Sequence, residues 1–390
     1  MASDRSIKVA IFGHYMPIYR KGVLEKLSSA KHIELTVCCS EDFPVGLRLI
    51  KPDEVSFKLL NIRTHLIWVP FTRKKLSLQP TMLTKILSRS HDVYILPNTM
   101  SYIDVWSCLV LSRILGRRVC LWGHGKGSLH GHVSNWFRKT FMNMSDALIF
   151  YSDAAKETWS QAGLSSNKMF VAYNALDTDE SAQVRSQISD MNIAEFISQH
   201  GLKNKKIIVF SGRLQERKRP DLVIEAMAQI IKHVPEAHAI IIGDGIMKET
   251  IQKRISELSL EHHVSLVGAI FDETAIAYFL MAAKLAVMPA AAGLFIQQAF
   301  DYGLPIVVGN DMRSHGPEIE LVSEGENGLF FEDGSSIHLA EQLLHLLSDE
   351  GKRLEMSLNA KKIILTKYNV KNMAAGLFQA IRYSSERLNK

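Results

Sequence analysis

Cysteine is scarce in this chain of 390 residues: only Cys38, Cys39, Cys108 and Cys120, with no CxxC pair. A disulfide scaffold and a zinc ribbon are therefore excluded, and a reducing compartment fits. Eleven prolines and 23 glycines are too few for collagen-like or low-complexity character. No long apolar run exists either. The most apolar stretch, 105–122, is interrupted by Arg113, Arg117 and Arg118, so it does not supply the roughly 20 apolar residues of a membrane span. The first residues lead directly into Ile7-Lys8-Val9-Ala10-Ile11-Phe12, too short for the apolar region of an export signal. No zinc spacing, aromatic RNP pattern or basic helix feeding heptads is present, so no nucleic-acid partner is expected. No cluster of metal ligands is visible. No GxGxxG follows the first strand, which continues as Gly13-His14-Tyr15-Met16-Pro17-Ile18. That argues against a dinucleotide oxidoreductase.

What remains is an ordinary globular composition, 47% hydrophobic and 22% charged, long enough for two domains. The net charge of +6 is uneven. Residues 1–180 hold 23 Lys and Arg against 15 Asp and Glu, and residues 181–390 hold 23 against 25. The first part is thus +8 and the second −2. Its clusters are Arg20-Lys21, Arg73-Lys74-Lys75 and Arg117-Arg118. Such a half attracts anionic lipid or a phosphorylated acceptor, although any one cluster is more simply a solvated surface.

Short Val/Ile/Leu runs alternate with helical patterns along the chain. Strands are expected at 7–12, 33–39, 66–69, 93–96, 119–122, 147–151 and 169–172. A second series is expected at 206–210, 239–242, 264–267, 285–288 and 305–308. Continuous apolar runs are those of strands buried on both faces, and strand–helix alternation implies parallel sheets covered by helices. The expected domains are residues 1–177 and 205–369, joined by a polar linker at 178–204. The last helix, about 370–390, is expected to pack back on the first domain. Ligands of doubly wound sheets bind at the carboxyl ends of strands, so the cleft between two such domains is the expected site.

The strongest motif is Phe210-Ser211-Gly212-Arg213-Leu214-Gln215-Glu216-Arg217-Lys218-Arg219-Pro220. A strand ends at Gly212, two cations follow in the loop, and Pro220 opens a helix. Cations beside a helix N-terminus oppose its dipole. Arg213 and Lys218 placed there point to a diphosphate ligand, Arg as a two-oxygen clamp and Lys as a point charge. A second loop, Pro289-Ala290-Ala291-Ala292-Gly293-Leu294-Phe295, follows another strand. Its small residues let an anion approach the amides of Gly293, Leu294 and Phe295, and they equally suit tight packing.

Gly-Arg-Leu-x-x-x-Lys at 212–218 resembles the donor-diphosphate motif of the retaining glycosyltransferases of family 4, which have the GT-B fold. The resemblance continues through Tyr173-Asn174-Ala175-Leu176-Asp177, Gly243-Asp244-Gly245, Val267-Gly268, Gly303-Leu304-Pro305-Ile306-Val307 and Gly325-Glu326-Asn327-Gly328-Leu329-Phe330. It covers residues 165–350 well and the first half loosely. It implies an α/β protein of GT-B type, two doubly wound Rossmann-like domains facing a central cleft. It implies transfer of a sugar from a UDP- or GDP-linked donor, with retention, to a glycan or lipid-linked acceptor in cell-surface polysaccharide or lipopolysaccharide synthesis. No cofactor or metal is expected, because charge on the leaving β-phosphate falls to Arg213 and Lys218. The implied location is cytoplasmic, with peripheral contact to the inner face of the membrane.

The resemblance also distributes roles. His124, in Leu121-Trp122-Gly123-His124-Gly125, matches a family histidine facing the donor sugar. The neighbouring Gly-rich run 123–128 fails the phosphate-loop spacing. Gly13, Asn174, Gly212, Gly243 and Gly268 fall at nucleotide-sugar contacts, and His14, Tyr19 and Arg20 on the acceptor side. Most family members carry two glutamates eight positions apart, and here those positions are Ala290 and Gln298. Gln298 retains hydrogen-bonding capacity for a ribose, and Ala290 retains none. This matches a branch of bacterial polysaccharide transferases with Pro-Glu-x-Glu further on, here Pro317-Glu318-Ile319-Glu320 preceded by His315. Glu318 or Glu320 is expected to take over part of the polar role. Two other readings stay open: a catalytically weakened binding subunit of the same shape, and a nucleotide-sugar epimerase on the same fold.

Overall fold

The computed structural model describes residues 5–41, 48–68, 75–125 and 132–386. Arg73 and Lys74 of the basic cluster, residue 69 of an expected strand and residues 126–128 lie outside the described residues. The chain divides into two compact units, Met1–Asp177 with Asn369–Lys390, and Thr178–Tyr368.

The first unit contains β1 (Ile7–Phe12), β2 (Ile33–Cys39), β3 (Lys58–Asn61), β4 (His65–Trp68), β5 (Lys75–Leu78), β6 (Val93–Pro97), β7 (Arg118–Gly123), β8 (Ala147–Phe150) and β9 (Met169–Val171). Seven of them form one parallel sheet in the order β3-β2-β1-β6-β7-β8-β9. Alternation along β1 explains the two covering layers. Val9 and Ile11 enter one core with Val23, Leu24 and Leu27 of the helix Lys21–Ser28 and with Leu377 and Ile381 of the last helix. Ala10 and Phe12 enter the other, with Val105, Cys108 and Leu109 of the helix Ile103–Ile114. All four cysteines are free and buried in these layers.

The last helix, Val370–Glu386, lies on β7, β8 and β9. It approaches so closely at Gly376 that a Cβ there would stand 2.2 Å from the Val171 carbonyl oxygen. The expected strand at 66–69 is not part of the parallel series. It is β4, an exposed antiparallel hairpin with β5. The sheet edge is instead β3, four residues with only its two central side chains partly covered, too short and too polar to announce itself.

The second unit contains β10 (Lys206–Ser211), β11 (Ala237–Ile242), β12 (Val264–Gly268), β13 (Leu285–Met288), β14 (Ile306–Gly309) and β15 (Gly328–Phe331). All run parallel in the order β12-β11-β10-β13-β14-β15. Chain order reverses direction between β10 and β13, the topological switch point of a doubly wound sheet.

Residues 178–204, expected as a linker, are mostly helical and belong to this second unit. Arg185 of the helix Thr178–Gln187 grips Asp301 with two hydrogen bonds, 2.6 and 3.1 Å, and stacks over Tyr302 at 4.8 Å. Ser181 donates to the same carboxylate at 2.5 Å. Phe196 of the next helix, Asp190–Gln199, packs on Tyr278 and Phe279. The first helix buries only Ser181. It is anchored by an ion pair and not by an apolar stripe, so no hydrophobic periodicity marks it.

Candidate functional site

Two loops leave the carboxyl ends of β10 and β13, the strands that flank the switch point of the second unit. The first begins at Gly212, whose N–H donates to the Ile242 carbonyl at 2.9 Å. A 3₁₀ turn over Glu216–Lys218 follows, and Arg219, at φ 50°, reverses the chain into the helix Pro220–Ile230. Arg219 folds onto Asp221 at 2.9 Å. Lys218 turns the other way. Its stem runs past Gly212, where a Cβ would lie 3.3 Å from Lys218 Cδ and Cε. Its Nζ donates to the Ala291 carbonyl in the second loop at 2.9 Å.

That amine is partly buried, and desolvation, assisted by the Arg217 charge, pushes its pKa down to about 8. The Glu318 carboxylate works in the opposite direction. One strong acceptor for a group with three donors leaves it ready for an anion. Arg213 is exposed; its carbonyl accepts from Gln215 N–H at 2.9 Å, and its guanidinium makes no hydrogen bond or ion pair among the described residues.

Gly243 and Gly245 brace this loop from behind. Gly243, at φ 153°, comes so close that a Cβ would stand 2.0 Å from the Gly212 carbonyl oxygen. Leu214 N–H donates to Asp244 O at 2.9 Å, and Gly243 N–H donates to Gly268 O at 2.7 Å. Backbone crowding accounts for the glycine at 243. Its expected nucleotide contact is therefore not needed to explain it.

The second loop is tied down by a residue that sequence reasoning did not place in the site. His315 is buried; its Nδ1 accepts from Ala292 N–H at 3.1 Å and its Nε2–H donates to Gly309 O at 2.8 Å. The two partners fix the tautomer, and the neutral ring straps the loop to the end of β14. Gly316 N–H adds a bond to Ala292 O at 2.6 Å. Ala291 takes a left-handed φ of 46°. The amides of Gly293, Leu294 and Phe295 donate to no carbonyl among the described residues.

Glu318 is 3% exposed on the turn Pro317–Leu321, with Oε2 3.9 Å from where a Gly293 Cβ would be. Of the two candidate glutamates, Glu318 is the one set against the loop and electrostatically coupled to Lys218. Glu320 is half-buried on the same turn. Gln298 is half-buried on the helix Phe295–Asp301, and Ala290 is buried and apolar. The site thus unites Gly212, Arg213, Lys218, Gly293, Leu294, Phe295 and Glu318, with Gln298 a turn further on.

Residues 192–363, which contain both loops, match the family model "Glycosyl transferases group 1". An alpha-D-kanosaminyltransferase of Streptomyces kanamyceticus is 23% identical over 291 residues, 70% of this chain and 73% of the relative. A GDP-mannose-dependent alpha-(1-6)-phosphatidylinositol monomannoside mannosyltransferase of Mycolicibacterium smegmatis is 26% identical over 273 residues, 65% and 69% of the two chains. The crystal structure of Anabaena Alr3699/HepE in complex with UDP superposes with a TM-score of 0.73 at 19% identity, covering 96% of this chain and 99% of that one. These matches make residues 192–363 a glycosyltransferase domain of group 1 and give the chain the GT-B fold.

The glycosyltransferase carries its other expected residues on the first unit: Gly13, His14, Tyr19, Arg20, His124 and Asn174. Gly13 and His14 follow β1. Gly13 N–H donates to Cys38 O at 3.0 Å, and its own carbonyl accepts from Gln79 Nε2 at 2.9 Å. His14 meets Tyr15 and Tyr102 edge-on, and partial burial lowers its pKa. His124, just past β7, packs on Tyr151 with ring centres 4.8 Å apart. Asn174 is buried after β9. Beyond the ends of β6 and β7 lies a cavity of about 290 Å³, lined in part by Asn98, Ser101, Gly125, Arg138 and Trp159. Among the described residues, no helix is long and apolar enough to cross a membrane, and no group of three or more His, Cys, Asp or Glu is placed to hold a metal.

Proposed function

We propose that the enzyme transfers a hexosyl unit, with retention, from a UDP- or GDP-linked donor to a glycan or lipid-linked acceptor in cell-surface polysaccharide assembly. The observation that carries this is Lys218. An amine whose pKa burial lowers to about 8 is held by the Ala291 carbonyl in the loop whose three amides at 293–295 donate to no acceptor among the described residues. As the glycosidic bond breaks, negative charge grows on the β-phosphate. Lys218, Arg213 and the amides of Gly293, Leu294 and Phe295 meet it with preorganised positive charge. No metal is required for that charge balance. Gln298 suits a ribose hydroxyl. Glu318 favours the charged form of Lys218 and takes part of the polar role that Ala290 has lost. The UDP complex of the Anabaena neighbour and the GDP-mannose dependence in the mycobacterial relative's name support the two candidate bases.

A thermal-shift panel of nucleoside diphosphates and their sugars tests the reading. UDP or GDP at a hundredfold excess over its dissociation constant stabilises by about 2.7 kcal/mol; no shift with any nucleotide refutes it. A catalytically weakened binding subunit is the second reading, favoured by the apolar Ala290. Slow nucleotide-sugar hydrolysis by wild type, abolished in Lys218→Met, rules it out. For the acceptor side we place the cavity beyond β6 and β7 and a peripheral position on an anionic membrane surface, supported by the +8 charge of residues 1–180. Failure to co-sediment with anionic vesicles at low salt removes the membrane part.

A further inference from the structure

Arg20 is only 7% exposed, and no carboxylate lies within ion-pair distance of it among the described residues. Its guanidinium carbon sits over three aromatic rings, Tyr19 at 5.3 Å, Trp122 at 5.4 Å and Tyr151 at 5.0 Å. One amino group donates to the Met373 sulfur at 3.4 Å, a weak acceptor. None of its nitrogens is both sealed from solvent and unpartnered. The donors that lack a protein acceptor therefore still reach water.

This is an unusual way to hold a charge. A buried cation without a carboxylate is costly. Each desolvated cation–π contact returns about 2 kcal/mol, which explains how the box tolerates it. Contact with the rings uses none of the guanidinium's hydrogen bonds, and beyond the weak donation to Met373 its N–H groups, which recognise oxyanions two bonds at a time, meet no protein acceptor among the described residues. The indole N–H of Trp122 is also buried without an acceptor. The box is assembled from the loop after β1 and the carboxyl ends of β7 and β8, the end of a parallel sheet where ligands bind. His124 packs on its Tyr151 wall.

We propose that Arg20 is a preorganised receptor for a phosphate group. Held by Tyr19, Trp122 and Tyr151, it gives the first unit an oxyanion subsite, and the acceptor is a phosphate-bearing molecule. The assignment to the acceptor rests on the glycosyltransferase reading above. A donor phosphate has the same chemistry, so the test separates the two sources.

Methyl phosphate is titrated into the full chain by calorimetry at low salt, with and without the nucleoside diphosphate that gives the largest thermal shift. Wild type is expected to bind one equivalent, and Arg20→Gln, still folding cooperatively, to bind at least tenfold more weakly. Binding that survives saturating nucleotide assigns the subsite to the acceptor. Binding displaced by nucleotide overturns that assignment and gives Arg20 to the donor. Equal affinity in wild type and Arg20→Gln overturns the receptor itself. Should Arg20→Gln fail to fold, methyl phosphate is followed by tryptophan fluorescence in wild type and Trp122→Phe. A response that is unchanged by losing Trp122 also overturns it. These readouts measure binding alone. Sugar transfer without methyl phosphate binding would defeat only this inference, and an absence of nucleotide binding would defeat only the donor reading.

Discussion

Nucleotide binding should weaken sharply above pH 8, because the ammonium of Lys218 is half neutral there. With a pKa of about 8 in the free enzyme, roughly nine-tenths of molecules carry the charge at pH 7, half at pH 8 and a tenth at pH 9. A diphosphate that binds the charged form selectively loses about tenfold in affinity between pH 7 and pH 9, equivalent to about 1.4 kcal/mol. The diphosphate completes its own ionisation on the acidic side of this window and does not contribute to the loss. The same group has a stability signature. Its folded pKa lies below its unfolded value, so the unfolded chain binds more protons between about pH 8 and 10.5, and stability of the free enzyme rises with pH over that interval. Calorimetry of UDP or GDP at constant ionic strength, in buffers of different ionisation enthalpy, reads both affinity and proton uptake. Uptake of about half a proton at pH 8 is expected. Lys218→Arg keeps its charge throughout and should flatten the profile. A wild-type affinity constant from pH 7 to 9, or an equal slope in Lys218→Arg, refutes the reasoning.

The remaining predictions concern the loops and the packing beneath them. Glu318→Gln should lower turnover about tenfold or more and push the Lys218 pKa further down, whereas Glu320→Gln should change turnover less than threefold; equal effects in steady-state kinetics contradict the placement of Glu318. His315→Ala removes both straps of the small-residue loop and should raise KM for the donor at least tenfold while the melting temperature falls by only a few degrees; an unchanged KM contradicts its positioning role. Asp301→Asn breaks the partly buried bidentate pair with Arg185 and should cost about 3 kcal/mol in denaturant unfolding; a loss below about 0.5 kcal/mol would show that residues 178–199 are not anchored there.

Much of this enzyme was legible in its sequence because its parallel strands are apolar on both faces. β1, β10 and β13 announce themselves as Val, Ile and Leu runs, and the residues at their carboxyl ends then stand out as polar or small against that background. Gly212, Arg213, Lys218 and Gly293 were found this way. The destination of Lys218 was not legible. Its carbonyl partner is Ala291, 73 positions on, and only the side-by-side pairing of β10 with β13 brings the two together. The role of His315, which in sequence is only a residue ahead of Pro-Glu-x-Glu, is hidden for the same reason. Both partners of its ring are backbone groups, and no local pattern reports a side chain that bridges Ala292 to Gly309. The glycine at 243 reads as a ligand contact in sequence, and the fold adds a reason no local pattern shows, clearance for the Gly212 carbonyl. The helices at 178–199 were missed because an ion pair and an aromatic contact hold them, neither of which has a period. β3 and β15 read Lys58-Leu59-Leu60-Asn61 and Gly328-Leu329-Phe330-Phe331, and neither carries the β-branched residue that marks the short strands β8, β9, β13 and β14.

The central claim, that Lys218 and Arg213 grip the donor diphosphate, is tested most directly by a crystal structure of the enzyme with UDP or GDP bound. The account predicts the β-phosphate within hydrogen-bond distance of Lys218 Nζ, the Arg213 guanidinium and at least one amide among Gly293, Leu294 and Phe295. A nucleotide seated elsewhere, with Lys218 still turned only to the Ala291 carbonyl and Arg213 in solvent, would contradict it.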